Sequence, residues 1–298
     1  MELSSLTQPE RLQILNQLQY VGQKDTPLFS TLQSYMLPRD EKANPKDGIA
    51  WDYINIPSAG DNAALEGDDY PAAEAYPTLR GHNHFQIIRS PFGVTGSEEA
   101  VSDSAGKKML AQQAAIAKIK HGKDIDFALH GTAAPSPRGA AVAGKMGGIR
   151  SFVTPQTTVN AASAPLEWEL LRELLKSSFV GGSPLTDLYM STRQKDKIDD
   201  ITFNKADAKL ETKKISNNVT MLGDTAYGSN ITIHLDPLIP DDVILGINKG
   251  LCGLLSHRET HIQEEGKKGD RVKQLYYTEL TCFVLSRYAV AEIQNLAV

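Results

Sequence analysis

"RGHNHFQIIRSPFGVTGSEEAV", residues 80–101, changes its structural period partway along. In "RGHNHFQII" apolar and polar positions alternate as in a strand, which points His82 and His84 to one strand face. From Thr95 the texture turns helical. Thr95 with Glu98 forms a capping box, in which hydroxyl and carboxylate each satisfy the other's backbone N–H at a helix start. A strand therefore runs into a helix here, and the rest of the chain can be read outward from that junction.

Downstream, Val101, Ala105, Met109, Ile116 and Ile119 fall on one helical stripe. A helix over residues 97–120 spans about 36 Å at 1.5 Å per residue, and Lys107, Lys108, Lys118 and Lys120 make it one of the most basic segments of the chain. A small-residue loop comes next. Pro165 then opens "PLEWELLRELLKSSF", an amphipathic helix with proline at its first position, and a further helix starts near Ser191. "DAKLETKKISNNVTML", "SNITIHLDPLIPDDVILGI" and "VKQLYYTELTCFVLSRYAVAEIQNL" alternate in β fashion. Helices and antiparallel-looking strands are segregated, which predicts an α+β fold.

Upstream, "WDYINI" pairs naturally with the strand at 80–88 as a long hairpin around a Pro-, Gly- and Ala-rich excursion. Asp47, Asp52, Asp61, Glu66, Asp68, Asp69 and Glu74 all precede the first basic residue after them, Arg80. A long acidic loop poor in apolar side chains has little reason to order on itself, so it is expected to seek a basic partner surface. Residues 1–49 read as an extended arm. Leu12, Ile14, Leu15 and Leu18 give it one short amphipathic helix, and Pro27, Pro38 and Pro45 interrupt the remainder of the arm.

Composition narrows the function classes. The 298 residues carry a formal net charge of −5, which lacks the basic footprint of sequence-independent nucleic-acid binding. Two cysteines, Cys252 and Cys282, argue against a disulfide framework and a four-ligand zinc site; both are expected to be buried, reduced thiols. No run reaches the ~20 apolar residues of a membrane span, and the N-terminus lacks a signal-peptide pattern. The expectation is a protein neither exported through a signal peptide nor embedded in a membrane.

Three motifs suggest chemistry, and each fails on mechanism. "GAAVAGKMGG", residues 139–148, resembles a phosphate-binding P-loop, but Met146 stands where a magnesium-holding hydroxyl is needed and a proline-broken loop precedes it. "HRETH", His257–His261, places Glu259 wrongly for a zinc hydrolase and reads as loop histidines leading into a polar turn. "HNH" at 82–84 has no acidic or cysteine support for a metal. No catalytic residue, cofactor or metal site is assigned.

The order of arm, long acidic hairpin, long basic helix, small-residue loop, mixed domain and terminal strands resembles the major capsid proteins of tailed bacteriophages with the Hong Kong 97-type fold. The islands carrying the resemblance are "RGHNHFQIIRSPFGVTGSEEAV", "DIDFALHG", which resembles the family's helix end, "GKMGGIRSFV", "FVGGSPLTDLYMSTRQKDKI" and "KKGDRVKQLYYTELTCFVLSRYAVAEIQNL". By that resemblance residues 1–49 are the N-arm and 50–93 the E-loop. Residues 94–139 and 272–288 form the P-domain with its spine helix at about 97–120, and 140–271 with 289–298 form the A-domain.

The resemblance implies a virion shell subunit that self-assembles into hexamers and pentamers in the host cytoplasm and encloses double-stranded DNA without reading its sequence. It implies a portal protein, a separate scaffolding protein because the arm is short, and room for a decoration protein. An encapsulin-like nanocompartment shell is the alternative within the fold; an NTPase or metal hydrolase is the alternative outside it. The expected inter-subunit contacts set Asp61, Glu66, Asp68 and Asp69 of the E-loop, with Arg80 at its base, against a neighbour's Lys107, Lys108 or Lys118. Some relatives weld their shells through an E-loop lysine. Here no lysine lies between Lys46 and Lys107, so that bond is expected to be missing.

Overall fold

The computed structural model describes residues 25–36, 48–54, 59–61, 63, 66–67, 76, 78–100, 109–204, 221–223, 227–228, 230–266 and 269–298. The expected arm helix near residues 9–20, Asp47, Asp68, Asp69, Glu74, Val101, Ala105, Lys107, Lys108 and most of the strand expected at 207–222 lie outside them.

The strand-to-helix junction forms as the sequence indicates. Strand β2, Ile49–Ile54, pairs antiparallel with β3, Thr78–Asn83, as the stem of the hairpin. Strand β4, Gln86–Thr95, begins after a two-residue break. At its end the Thr95 N–H donates to Glu98 Oε2 at 2.9 Å and the Glu98 N–H to Thr95 Oγ1 at 3.3 Å, closing the capping box of helix α2, Gly96–Ala100.

Helix α3, Met109–Leu129, runs beyond the expected end at residue 120. Its buried face carries Ala117, His121, Ile125 and Leu129, whereas Ile116 of the expected stripe is exposed. The apolar stripe misleads because a polar residue anchors the helix. His121 bridges two strands, with Nδ1 at 3.0 Å from Ser90 Oγ and Nε2 at 2.7 Å from Thr278 Oγ1. Burial lowers the His121 pKa, disfavouring the charged ring.

The sheet beneath α3 has the order β1-β10-β11-β4, with β1 at Gln33–Met36, β10 at Cys252–Glu265 and β11 at Arg271–Val284. Strand β1 is parallel to β10; the other neighbours are antiparallel. This ladder corrects one expectation. "HRETH" is strand, because β11 supplies backbone partners for the polar outer half of β10 as far as Glu265 opposite Lys273. The ladder also joins β4 and β10 to β11.

The second sheet has the order β5-β12-β9-β6-β8-β7. Its strands are β5 Thr158–Asn160, β6 Asp187–Met190, β7 Met221–Leu222, β8 Ile231–Leu235, β9 Ile244–Ile247 and β12 Val290–Gln294. Helix α4, Trp168–Val180, buries Leu171, Leu174 and Leu175 in a core with Leu188, Ile231 and Ile293. It starts three residues later than Pro165 suggests. The Ala161 carbonyl accepts from the Ala164 N–H at 2.8 Å, and the Ala164 carbonyl from the Ala297 N–H at 2.9 Å. That turn, with Ala162 and Ser163 at φ 51° and 64°, holds the chain out of helical geometry. Helix α5 is Thr192–Asn204, and a short helix α1, Pro27–Thr31, lies against α3 with Leu28 buried in the other core.

Candidate inter-subunit surface

The hairpin is held at its base by one side chain. Asn83 is fully buried between β3, β11 and the loop after α3. Its Nδ2 donates to the Gly147 carbonyl at 3.0 Å and the Cys282 carbonyl at 2.8 Å. Its Oδ1 accepts from the Gly147 N–H at 2.8 Å and the His84 N–H at 2.9 Å. Inward rotation of Asn83 explains the break between β3 and β4, where Phe85 is also buried. His82 and His84 stay adjacent, ring centroids 6.1 Å apart.

The same contacts settle the glycine-rich loop. Its backbone is a structural strut: Ser136 and Lys145 form a bridge, the Met146 N–H donates to Gln86 Oε1 at 3.2 Å, and the Met146 side chain is buried. Glycine is required at 148 because a Cβ there would lie 2.5 Å from Gly131 N and from the Leu129 carbonyl oxygen. The loop thereby butts against the end of α3.

Further along the stem, Arg80 Nε lies 2.8 Å from Asp52 Oδ1 and its Nη2 3.2 Å from Oδ2. This pair lowers the Asp52 pKa through the hydrogen bond from Arg80. Arg80, expected to reach a neighbour, is thus engaged within its own hairpin. Trp51 packs over Gly81 and tilts against Phe152, ring centroids 5.8 Å apart, while Ile54 and Tyr76 stay exposed. Asp61 and Glu66 are exposed on the hairpin and Lys118 is exposed on α3. Among the described residues none of these three enters an ion pair. Asp68, Asp69, Lys107 and Lys108 lie outside the described residues.

Other charges are spent internally. Glu279 is buried between Arg138 at 2.6 Å and Arg258 at 3.0 Å. Glu292 is buried and held bidentately by Arg150, at 2.8 and 3.0 Å. Asp187 is buried, which alone would raise its pKa; hydrogen bonds from His234 and Thr186, with Lys249 nearby, outweigh this and lower it. The lone acids in "YTELTCF" and "AVAEIQ" are a legible signal for such buried pairs; nothing local marks Asn83. Burial pushes the Cys282 thiol up to about 12, and Cys252 is also buried and free. His257 lies half-buried beside Phe85 and His261 is exposed over Tyr277. Four residues of strand separate them by about 13 Å, too far for one metal ion.

Comparison with known proteins gives the same architecture. The family model described as SU10 major capsid protein matches residues 4–297. The fold is similar to the capsid of a native GTA particle, with a TM-score of 0.66, 9% identity and 93% of this chain and 92% of that chain covered. It is similar to the capsid chain of cyanophage A-1(L), with a TM-score of 0.62, 13% identity and coverages of 94% and 96%. The SrpI encapsulin of Synechococcus elongatus PCC 7942 gives a TM-score of 0.59, 10% identity and 95% of both chains. A comparison with curated proteins gives no match. These identities carry the fold alone, but the fold agrees with a family match that spans nearly the whole sequence: the chain belongs to the SU10 major capsid protein family.

Proposed function

We propose that this major capsid protein builds an icosahedral tailed-phage head from hexamers and pentamers of itself, enclosing double-stranded DNA without sequence-specific contact. The observation that carries this is the family match over residues 4–297. In this reading residues 1–49 are the N-arm and the hairpin within 50–93 is the E-loop. Residues 94–139 and 272–288, with helix α3 and most of β11, make the P-domain, and the six-stranded sheet lies in the A-domain. The net charge of −5 suits an inner wall that does not grip packaged DNA.

The acidic E-loop lies over a neighbour's basic helix. Asp61, Glu66, Asp68 and Asp69 face that neighbour's Lys107, Lys108 or Lys118, while Arg80 stiffens the stem through Asp52. Portal and scaffolding proteins serve assembly in the host cytoplasm, with a decoration protein on the finished virion. Expression of the chain alone, then sedimentation and negative-stain imaging, is expected to give capsomer rings or closed shells. Boiled in denaturant, these shells should run as a single monomer band, since no lysine lies between Lys46 and Lys107. A chain that stays monomeric both alone and with its scaffolding protein overturns the reading. Shells that fill with a cargo protein, and never with DNA in infected cells, favour the encapsulin-like alternative.

A further inference from the structure

Three buried side chains meet where α1, α3 and the loop after β8 converge. Asp126 and His130 lie one turn apart at the end of α3, and Asp236 directly follows β8; all three are buried. One ligand atom from each lies within 4.8 Å of the other two. His130 Nε2 is 2.9 Å from Asp236 Oδ2 and 3.9 Å from Asp126 Oδ2.

Both carboxylates are aimed by backbone groups. Asp126 Oδ1 accepts the Phe29 N–H at 2.7 Å, and Asp236 Oδ1 accepts the Leu238 N–H at 2.9 Å. Each acid therefore has one oxygen anchored and presents the other, Oδ2, to the imidazole. Those two Oδ2 atoms and both ring nitrogens of His130 are buried without a hydrogen bond. Nε2 and Asp236 Oδ2 thus lie close without forming a hydrogen bond.

We propose that Asp126, His130 and Asp236 form a divalent metal site, with Zn²⁺ as the fitting ion. Zinc takes carboxylate oxygen and imidazole nitrogen at about 2.0–2.2 Å, which places tetrahedral ligand atoms about 3.3 Å apart. The observed 2.9 and 3.9 Å bracket that separation. In the metal-bound form two carboxylates and a neutral imidazole would balance the two positive charges of the cation. The backbone N–H groups of Phe29 and Leu238 supply the outer-shell orientation such sites use. Because Phe29 belongs to α1, the ion fastens the N-terminal segment, the long helix and the second sheet at one point. The site does not depend on shell formation.

The test uses the full chain, loaded with ZnCl₂ and separated from free metal by gel filtration. About one zinc per chain is expected in the wild type, and D236N and H130Q should fall at least about tenfold below it. X-ray absorption of the wild type should show one imidazole and otherwise oxygen neighbours, a readout that stands even if the variants fail to fold. Wild-type protein that emerges without zinc overturns the proposal. So does zinc retained equally by folded D236N, or an absorption spectrum showing sulfur or several imidazoles.

Discussion

At Asn83 one buried amide saturates the carbonyls of Gly147 and Cys282 and the N–H groups of Gly147 and His84. N83A would leave those buried groups unpaired and is expected to lower stability by about 2–4 kcal/mol, read as a fall in the urea midpoint at unchanged slope. R150M should be costlier, about 3–5 kcal/mol, because it strands the buried Glu292 carboxylate. The double variant R150M/E292L should recover most of that loss; a double as unstable as R150M would show that packing, not the orphaned charge, sets the cost. Asp187 gives a pH signature. Its folded pKa lies below the ordinary 3.8, so its contribution is present above that value and lost as pH falls through the folded one. The stability gap between wild type and D187N should therefore be full near about pH 6 and shrink toward about pH 3.

At the scale of elements, the strand-to-helix junction rests on the reciprocal Thr95 and Glu98 bonds. T95A is expected to cost about 1 kcal/mol and to raise amide exchange locally over residues 96–100, leaving the β10–β11 ladder protected. This junction is legible because a capping box is encoded within four residues. The end of α3 is not, since its stop is set by Gly131 packed against Gly148, seventeen positions away in sequence. Its buried face escapes a reading by apolar stripe for a related reason: His121 is polar by type yet serves as an internal bridge only because Ser90 and Thr278 stand opposite it.

For the whole molecule, the exposed acids Asp61 and Glu66 of the hairpin have no ion-pair partner among the described residues, which fits contacts made between copies. Exposed pairs are worth about 0–1 kcal/mol each and are screened beyond about 8 Å at physiological salt. Replacing Asp61, Glu66, Asp68 and Asp69 together by their amides should therefore slow assembly at low salt and flatten its salt dependence, measured by light scattering. The monomer's denaturation midpoint should stay unchanged. Assembly that responds to salt as the wild type does would remove the acids from the interface.

Local sequence by itself determined the paired stem of the hairpin, the capping box, the amphipathic helix that buries Leu171, Leu174 and Leu175, and the burial of both thiols. Each depends on period, on turn chemistry, or on residues a few positions apart. Only the tertiary structure decided that "HRETH" is strand, that β4, β10 and β11 share a sheet, and that Asn83, Glu279 and Glu292 are internal anchors. It alone brought Asp126, His130 and Asp236 together. Those outcomes depend on partners up to 199 positions apart, as between Asn83 and Cys282, and a buried polar residue is defined by the groups folding places around it.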